Sequence, residues 1–390
     1  MEKELFLEVF SDSHCKWNQR VCGDIFIAKR IKEERRTVAV LSDGLGSGIK
    51  AHVLSTLTAT MALKYMANCL NIEKAASIIM QTLPVCKKRK ISYATFTIID
   101  ISANRRVNIV EYDNPSYLLI RNGNLIPVNK NRSVLHNENR EVNLYFSSFD
   151  IQQGDRIIFH SDGLNQSGMG KQSTPFGWGE EGVRNSATEL IIQKPTISAR
   201  SLAKYMVEKA IQNDDWKCGD DTTCAVIYYR KPRKLLVISG PPLDKENDPL
   251  LGEIFNSFDG TRIVCGGTTA KIISQVLDKK LVMDFKNLYP QVPPTSTMEG
   301  ADLVTEGIIT LTKAMEYLSQ DTIPDTSDGA ARFADLLINS DEISFIIGTR
   351  FNEANRYQNG KTVEFRDTVI NQISEILENK YLKNTSIRYV

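Results

Sequence analysis

The chain has 390 residues, of which 42% are hydrophobic, and 48 Lys and Arg against 47 Asp and Glu give a net charge of +1. This length suffices for two domains with separate cores, and the apolar fraction is typical of globular proteins rather than of disordered ones. The balanced charge excludes a global field that would attract nucleic acid or an anionic membrane. The short basic run at residues 87–90 is interpreted as a solvated loop.

The chain ends and the cysteines indicate a cytoplasmic protein. No stretch of about eighteen uninterrupted apolar residues is present, so no membrane span is expected. The N-terminus begins with Glu2, Lys3 and Glu4 and lacks the apolar run of a secretion signal. The seven cysteines form no CxxC pair and are odd in number, which favours free thiols over a disulfide framework. We expect no membrane and no nucleic-acid partner.

The first 230 residues are predicted to contain many strands. Asn122-Gly123 has the composition of a tight hairpin turn. Strands adjacent in sequence without intervening helices favour antiparallel sheets with helices packed outside, an α+β fold. Segments rich in β-branched and aromatic residues predict strands at 38–41, 93–101, 106–112, 117–121, 156–160 and 223–229.

Helical periodicity is clearest between residues 50 and 69. There Val53, Leu57, Met61 and Tyr65 recur on one face, which predicts an amphipathic helix. Further helices are predicted at 72–83 and 199–212.

A charged junction, Arg230-Lys231-Pro232-Arg233, marks a change to strand, loop and helix in alternation. The domain boundary is therefore placed near residue 232, with domains at 1–232 and 233–390, and the second is predicted to be a smaller α/β domain. Ser296 and Glu299 have the spacing of a capping box before a helix at 301–318. The other predicted elements are strands at 235–238, 262–264, 281–285 and 343–347, and a helix at 362–378.

Four acidic positions each follow an apolar run and adjoin glycine. A strand that ends in Asp-Gly places a carboxylate at the rim of a sheet, although one such dipeptide alone is ordinary turn chemistry. Hard ions such as Mg²⁺ and Mn²⁺ prefer oxygen ligands, and two ions sharing a carboxylate can activate a water and clamp a phosphoryl oxygen. The four positions are Gly23-Asp24, Ser42-Asp43-Gly44, Ser161-Asp162-Gly163 and Gly219-Asp220-Asp221.

In order and surroundings, these positions resemble the PPM (PP2C-type) phosphatase family and, within it, the SpoIIE branch. The resemblance covers roughly residues 5–230 and implies an α-β-β-α sandwich of two antiparallel sheets with helices outside. The matching segments are Val21-Cys-Gly-Asp-Ile-Phe26, Leu41-Ser-Asp-Gly-Leu-Gly-Ser-Gly-Ile-Lys-Ala51, Gly154-Asp-Arg-Ile-Ile-Phe-His-Ser-Asp-Gly163, Gly219-Asp-Asp-Thr-Thr223, Tyr93-Ala-Thr-Phe96 and Asn114-Pro-Ser-Tyr117.

The resemblance implies roles for single residues at a site for two Mn²⁺ or Mg²⁺ ions. Asp43 would bridge both metals and Gly44 would add its carbonyl to one of them. Asp24 would bind the second metal, and Asp162 and Asp220 the first. Asp221 is a further ligand candidate, although the family aligns the preceding aspartate with the ligand. Activated water would attack phosphorus directly, without a covalent phospho-enzyme.

The chain departs from the eukaryotic type of the family at two positions. Gly23 stands where that type has an acidic residue, a feature that the SpoIIE branch shares. Gln19 stands where that type has a phosphate-binding arginine, and the adjacent Arg20 is interpreted as a surface residue or a substitute. His160 is interpreted as a buried strand histidine in preference to a general acid.

Two other groups of residues have open interpretations. Cys15, Cys22 and Cys218 lie near candidate ligands in sequence and are read as small buried hydrophobes, with redox or soft-metal regulation as the alternative. In the second domain, Cys265-Gly266-Gly267-Thr268-Thr269 lies between a strand and a helix. Such a helix start favours anions, so either a small-molecule regulator or ordinary turn packing is expected there.

The sequence therefore predicts a metal-dependent protein serine/threonine phosphatase in bacterial signalling. The expected partner is a phosphorylated protein substrate, and the resemblance suggests an anti-sigma-factor antagonist. One alternative is a catalytically silent module that binds phosphoproteins. A second alternative is a phosphatase of a small phosphate ester.

Overall fold

The computed structural model describes residues 5–68, 71–83, 94–137, 140–284, 289–320, 323–324, 328–350 and 362–390. The chain divides into two compact units, Met1–Lys231 and Pro232–Val390. The basic run at 87–90 and residue 93 of a predicted strand lie outside the described residues. Within the described ranges, no helix combines the length and apolarity needed to cross a membrane.

The first unit contains two antiparallel sheets. One has the strands β1 (Phe6–His14), β6 (Leu118–Arg121), β7 (Asn124–Leu125), β10 (Arg156–His160) and β11 (Thr222–Arg230). The other has β2 (Asp24–Ile31), β3 (Arg36–Gly44), β4 (Ala94–Ile101), β5 (Arg106–Tyr112), β8 (Asn131–Asn137) and β9 (Arg140–Asp150). Their orders are β1-β11-β10-β6-β7 and β2-β3-β4-β5-β9-β8.

The predicted hairpin turn is confirmed between β6 and β7. Arg121 pairs with Asn124, so Asn122 and Gly123 form a two-residue loop, with φ of 51° and 77°. Positive φ at both positions is what a turn matching the strand twist requires.

Helices cover the outer faces of both sheets. They are α1 (Ile49–Ala67), α2 (Ile72–Thr82), α3 (Asp162–Gln166), α4 (Gly179–Gln193) and α5 (Ala199–Asn213). Leu41 and Ile99 of one sheet pack with Phe159 and Ile227 of the other in a core between the sheets. Separate cores join α1 and α2 to the β3 side and α4 and α5 to the β10 side. This layering is the predicted α-β-β-α sandwich, and the α+β class is confirmed.

The predicted helix is present as α1, but its apolar stripe is only partly packed against the core. Val53 and Leu57 are 58% and 47% exposed, whereas the buried face consists mostly of small residues, including Ala59 and Ala62. Small side chains let the helix axis approach the sheet closely, and this approach outweighs burial of the larger apolar stripe. Periodicity located the helix but did not identify its packed face.

The second unit is an α/β domain around one mixed sheet. Its strands are β12 (Lys234–Ser239), β13 (Thr261–Cys265), β14 (Leu281–Met283), β15 (Ser296–Met298), β16 (Leu303–Thr305), β17 (Glu342–Ile347) and β18 (Asn384–Tyr389). Its helices are α6 (Asp248–Ser257), α7 (Gly267–Val276), α8 (Ile308–Gln320), α9 (Gly329–Asn339) and α10 (Thr362–Asn379). The sheet order is β14-β15-β16-β13-β12-β17-β18. Within it, the five neighbouring strands β16, β13, β12, β17 and β18 are all parallel.

The predicted capping box at Ser296 and Glu299 is wrong. Ser296 begins the short strand β15, and residues 303–305 form β16, so the helix starts only at Ile308. The run Leu303-Val304-Thr305 is fully buried beside β13. Its β-branched residues fit a parallel strand in a sheet interior better than a helix.

Packing of α1 gives a stability prediction. Ala59→Leu would insert three heavy atoms into a face that is fully buried, and we expect a cost of about 1–3 kcal/mol in unfolding free energy. Leu57→Ala, two residues away on the exposed face, should change it by less than about 0.5 kcal/mol. Urea unfolding of both variants is the measurement. A larger loss for Leu57→Ala than for Ala59→Leu would show that the other face is packed.

Candidate metal centre

Two of the predicted ligands lie opposite each other on neighbouring strands. Asp24 begins β2 and Asp43 lies one residue before the end of β3, and the antiparallel register pairs them directly. The backbone N–H of Gly44 donates to the carbonyl of Gly23 at 3.3 Å, which closes the ladder at this rim. The two carboxylates therefore share one end of the sheet.

The other sheet brings Asp162 and Asp220 to the same end. Asp162 opens α3 immediately beyond β10, and Asp220 precedes β11, the antiparallel neighbour of β10. The hydroxyl of Ser161 donates to Asp24 Oδ2 at 2.6 Å and accepts from the Thr223 N–H at 3.0 Å. This buried hydroxyl links the two sheets at the rim.

All four carboxylates have a raised pKa, and neighbouring carboxylates contribute to each shift. Burial raises the pKa of Asp24 to about 7, with the charges of Asp221 and Asp162 adding to it. Burial also raises the pKa of Asp43 to about 10, and there the neighbouring charges are Asp24, Asp162 and Asp220. The pKa values of Asp162 and Asp220 are raised as well, first by burial. Four like charges in a half-buried rim are costly unless cations compensate them.

The free ligand atoms fit hard divalent cations. Asp24 Oδ1 is buried and has no hydrogen-bond partner among the described residues. Asp162 and Asp220 each use one oxygen locally, Asp162 Oδ2 accepting from Gln166 at 2.6 Å and Asp220 Oδ1 from the Asp221 N–H at 3.0 Å. Oxygen-only donors with open lone pairs are the ligand set of Mg²⁺ or Mn²⁺.

The glycines beside these aspartates allow close approach of the backbone. A Cβ on Gly44 would lie 2.1 Å from the Ala51 carbonyl oxygen, and one on Gly163 would lie 2.1 Å from that of Asp221. A Cβ on Gly23 would lie 2.8 Å from Asp221 Oδ2. Gly23 therefore leaves room for the Asp221 carboxylate and for Ala51 of α1.

Asp221 has different surroundings from the other four aspartates. Its Oδ1 accepts from the backbone N–H of Lys16 at 2.9 Å, and its Oδ2 is buried without a hydrogen-bond partner in the described structure. One carboxylate oxygen of Asp221 and the sulfurs of Cys15 and Cys22 lie within 4.8 Å of one another. Cys218 is outside this group, although its carbonyl accepts from the Trp17 N–H. Asp221 therefore faces the thiols as well as Asp24.

Lys16 is a site residue that the sequence did not single out. Its ammonium lies 3.8 Å from Asp220 Oδ1, with the side chain 38% exposed. The two residues first considered for phosphate binding, Gln19 and Arg20, are both exposed. No motif marks Lys16, because its position depends on the turn after β1 and on its backbone contact with Asp221.

His160 is a buried residue at the end of β10. It is 2% exposed, and its Nδ1 lies 3.0 Å from the Ser161 carbonyl oxygen. Burial lowers the pKa of its imidazole to about 4, so the ring is neutral near pH 7. The interpretation as a buried strand histidine fits this geometry.

The crowded carboxylates are expected to lower the stability of the metal-free protein and to provide the ligands through which metal restores it. The pKa of Asp43 is about 10 in the folded metal-free protein and 3.8 in the unfolded chain, so between these values only the folded protein keeps the proton. The stability contributed by this proton is therefore lost as pH rises from 3.8 towards about 10. We expect Asp43→Asn to raise the unfolding free energy of the metal-free protein at pH 7 by about 1–3 kcal/mol, and to have no effect near pH 3.5. It should also remove stabilisation by Mn²⁺.

The measurement is thermal unfolding with EDTA and with Mn²⁺ at both pH values. Asp150→Asn, an exposed carboxylate 3.3 Å from Arg106, is the matched control and should keep the metal response. Equal Mn²⁺ stabilisation of Asp43→Asn and the unmutated protein would show that Asp43 is not a ligand.

Comparisons with known proteins identify a family and a set of solved structures that this chain resembles. The model of the family described as Stage II sporulation protein E (SpoIIE) matches residues 33–230, half of the chain. The SpoIIE phosphatase domain from Bacillus subtilis is 15% identical, with 59% of this chain and 95% of that chain covered and a TM-score of 0.44. The RsbU and RsbW domains of Rv1364c from Mycobacterium tuberculosis are 16% identical over 70% and 71%, with a TM-score of 0.49.

A third solved structure, RsbX in complex with magnesium, is 17% identical, with 58% and 96% covered and a TM-score of 0.39. The comparison with curated proteins gives no match. The family model covers β3 to β11 and includes Asp43, Asp162 and Asp220. The chain therefore belongs to the SpoIIE family.

Proposed function

We propose that the chain is a metal-dependent serine/threonine protein phosphatase that acts in bacterial signalling. The observation that carries the proposal is the convergence of Asp24, Asp43, Asp162 and Asp220 at one rim, with an unpartnered buried oxygen on Asp24. Membership of the SpoIIE family supports it. All four positions are acidic, which speaks against a silent module that only binds phosphoproteins.

The residues of the site have separable roles. Two Mn²⁺ or Mg²⁺ ions, when bound, would supply an activated water and neutralise the phosphoryl oxygens. Asp43, on which the charges of the other three carboxylates act, would be a metal ligand together with them. Ser161 fixes one oxygen of Asp24 and leaves the other open, and Gln166 fixes one oxygen of Asp162. Because these contacts set the carboxylates before metal arrives, little reorganisation is needed on binding.

The surface next to Asp162 supports a protein substrate. An open groove runs from Asp162 along Asp113, Asn114, Lys130 and Tyr145. Tyr145 is 40% exposed, and Lys130 pairs with Glu111 at the floor. A groove with aromatic and polar groups offers contacts to an extended phosphorylated segment on both sides of the phosphate. A phosphorylated anti-sigma-factor antagonist is the substrate that we propose; a small phosphate ester is the alternative.

Activity is tested with the full chain, Mn²⁺ and two substrates at equal metal concentration: a phosphoserine peptide and p-nitrophenyl phosphate. We expect hydrolysis of both, faster for the peptide, and a loss on the order of a hundredfold or more in Asp162→Asn. Asp150→Asn should keep full activity. Binding of the phosphopeptide without turnover would favour the silent module, and a preference for the small ester would favour the second alternative.

Lys16 gives a separate prediction about the substrate. Its ammonium is the cation that the structure places beside Asp220, so it can pair with a phosphoryl oxygen. Lys16→Gln should raise KM for the phosphopeptide about fivefold to tenfold with little change in kcat. Lys29→Gln, an exposed lysine on β2, is the control. Reduced kcat with unchanged KM would instead place Lys16 in the chemical step.

A further inference from the structure

Buried polar atoms without partners collect at one edge of the second unit. A folded protein leaves few such atoms, so a group of them needs an explanation. Some of these residues lie at the carboxyl ends of the parallel strands or just beyond them. The others belong to helices that reach the same edge. Among the described residues, the side chains are Ser239, Thr305, Glu306, Thr310, Arg350 and Arg366.

Two of these side chains flank a buried thiol in strict register. Ser239 pairs with Cys265, and Cys265 pairs with Thr305, at the last positions of β12, β13 and β16. Ser239 is 1% and Thr305 3% exposed, and neither hydroxyl has a partner among the described residues. Cys265 Sγ donates to the carbonyls of Glu306 and Gly307 at 3.3 and 3.5 Å. The thiol donates to the loop, and the two hydroxyls have no partner better than the weakly accepting sulfur beside them.

Arg366 brings a positive charge to the same edge. Its guanidinium packs directly against Gly240 in the loop that follows Ser239. A Cβ added to Gly240 would lie only 2.4 Å from Arg366 Nη1. Its Nε and Nη1 have no acceptor in the described part of the chain. Burial lowers the pKa of Arg366, while Glu306 and Cys265 act on it in the opposite direction, which makes Glu306 a near neighbour. A guanidinium stays charged in a protein and requires an anion in return.

The topology puts these groups where α/β domains bind ligands. The chain passes from β12 to β13 and β16 on one side and later returns to β17 on the other side, so the order reverses beside β12. Ligands bind outside the carboxyl ends of strands at such a reversal. The ten-residue helix α7 starts at this edge with Gly266 as its N-cap and no side-chain cap, so its first N–H groups also point there. Thr310, fully buried with a free hydroxyl, lies in the first turn of α8.

We propose that this edge is a binding site for a small metabolite that carries a phosphate or carboxylate group. The anionic group pairs with Arg366 and the start of α7, and the hydroxyls of Ser239, Thr305 and Thr310 complete its hydrogen bonds. Glu306 Oε2 accepts from a hydroxyl or amino group elsewhere on the ligand. The site belongs to the second unit, so it stands whether or not the first unit is a phosphatase.

The anion is tested by thermal unfolding of the full chain in EDTA, which removes metal-dependent anion binding in the first unit. The probes are inorganic phosphate and succinate, each at about 10 mM, against chloride at equal ionic strength. We expect stabilisation of the unmutated protein and of Arg388→Met, a control that removes an exposed arginine of β18. Arg366→Met should lose the response.

The responses to phosphate and succinate identify the anionic group or overturn the site. A response to phosphate alone identifies a phosphate group, and a response to succinate alone identifies a carboxylate. If neither anion stabilises the protein, or if Arg366→Met responds like Arg388→Met, the proposal is overturned.

A second pair of variants tests the site without depending on Arg366. Thr310 and Thr269 are both buried, but Thr269 Oγ1 accepts from the Gly240 N–H at 2.9 Å, whereas the Thr310 hydroxyl has no partner in the described structure. Thr310→Val should leave the anion-free melting temperature unchanged or higher, and weaken binding of the active anion about tenfold. Thr269→Val should lower the melting temperature. Equal losses of stability in both variants would show that the Thr310 hydroxyl is structural and would overturn the site.

Discussion

The hydrogen bonds of Ser161 are the contact on which the first unit's site depends. Its hydroxyl accepts from the Thr223 N–H of one sheet and donates to Asp24 of the other. Asp24 is in turn the register partner of Asp43. One buried hydroxyl thus joins the strand ends that carry the carboxylates. Without it, Asp24 Oδ2 would lose a buried hydrogen bond, in a rim where burial raises the pKa of all four carboxylates.

Close packing behind the rim makes this arrangement possible. Ala51, in the first turn of α1, packs against Gly23 and Gly44 so closely that a Cβ on either glycine would collide with it. Ala59 and Ala62 continue the same small face along the helix. A helix of larger inward residues would stand further from β3 and from Gly23 and Gly44, which adjoin Asp24 and Asp43. The exposed Val53 and Leu57 follow from this constraint, because the inward face is reserved for small side chains.

Much of the first unit could be predicted because local composition and tertiary role agree there. Strand segments such as 38–41 and 156–160 are apolar and buried, and the Asp-Gly pairs that follow them, Asp43-Gly44 and Asp162-Gly163, mark the rim. The family resemblance added the order of the ligands. Lys16 could not be found in this way, since its place at the site comes from a backbone contact with Asp221, more than two hundred residues away. The inward face of α1 was missed for a similar reason: hydrophobic periodicity measures apolarity, whereas this helix packs by size.

The second unit shows where sequence patterns fail for a different reason. Residues 296–305 contain the short strands β15 and β16, although Ser296 and Glu299 have the spacing of a helix cap. Residues 303–305 form a strand because they are buried beside β13. At the edge of that sheet, Ser239, Thr305 and Arg366 come from three distant segments, and no local motif predicts that their polar atoms would be left without partners. Both units therefore concentrate uncompensated polar groups at strand ends, acidic in one and chiefly hydroxyl and guanidinium in the other. Since a folded chain retains such groups only at a cost in stability, each edge is better explained by a ligand of opposite charge than by packing.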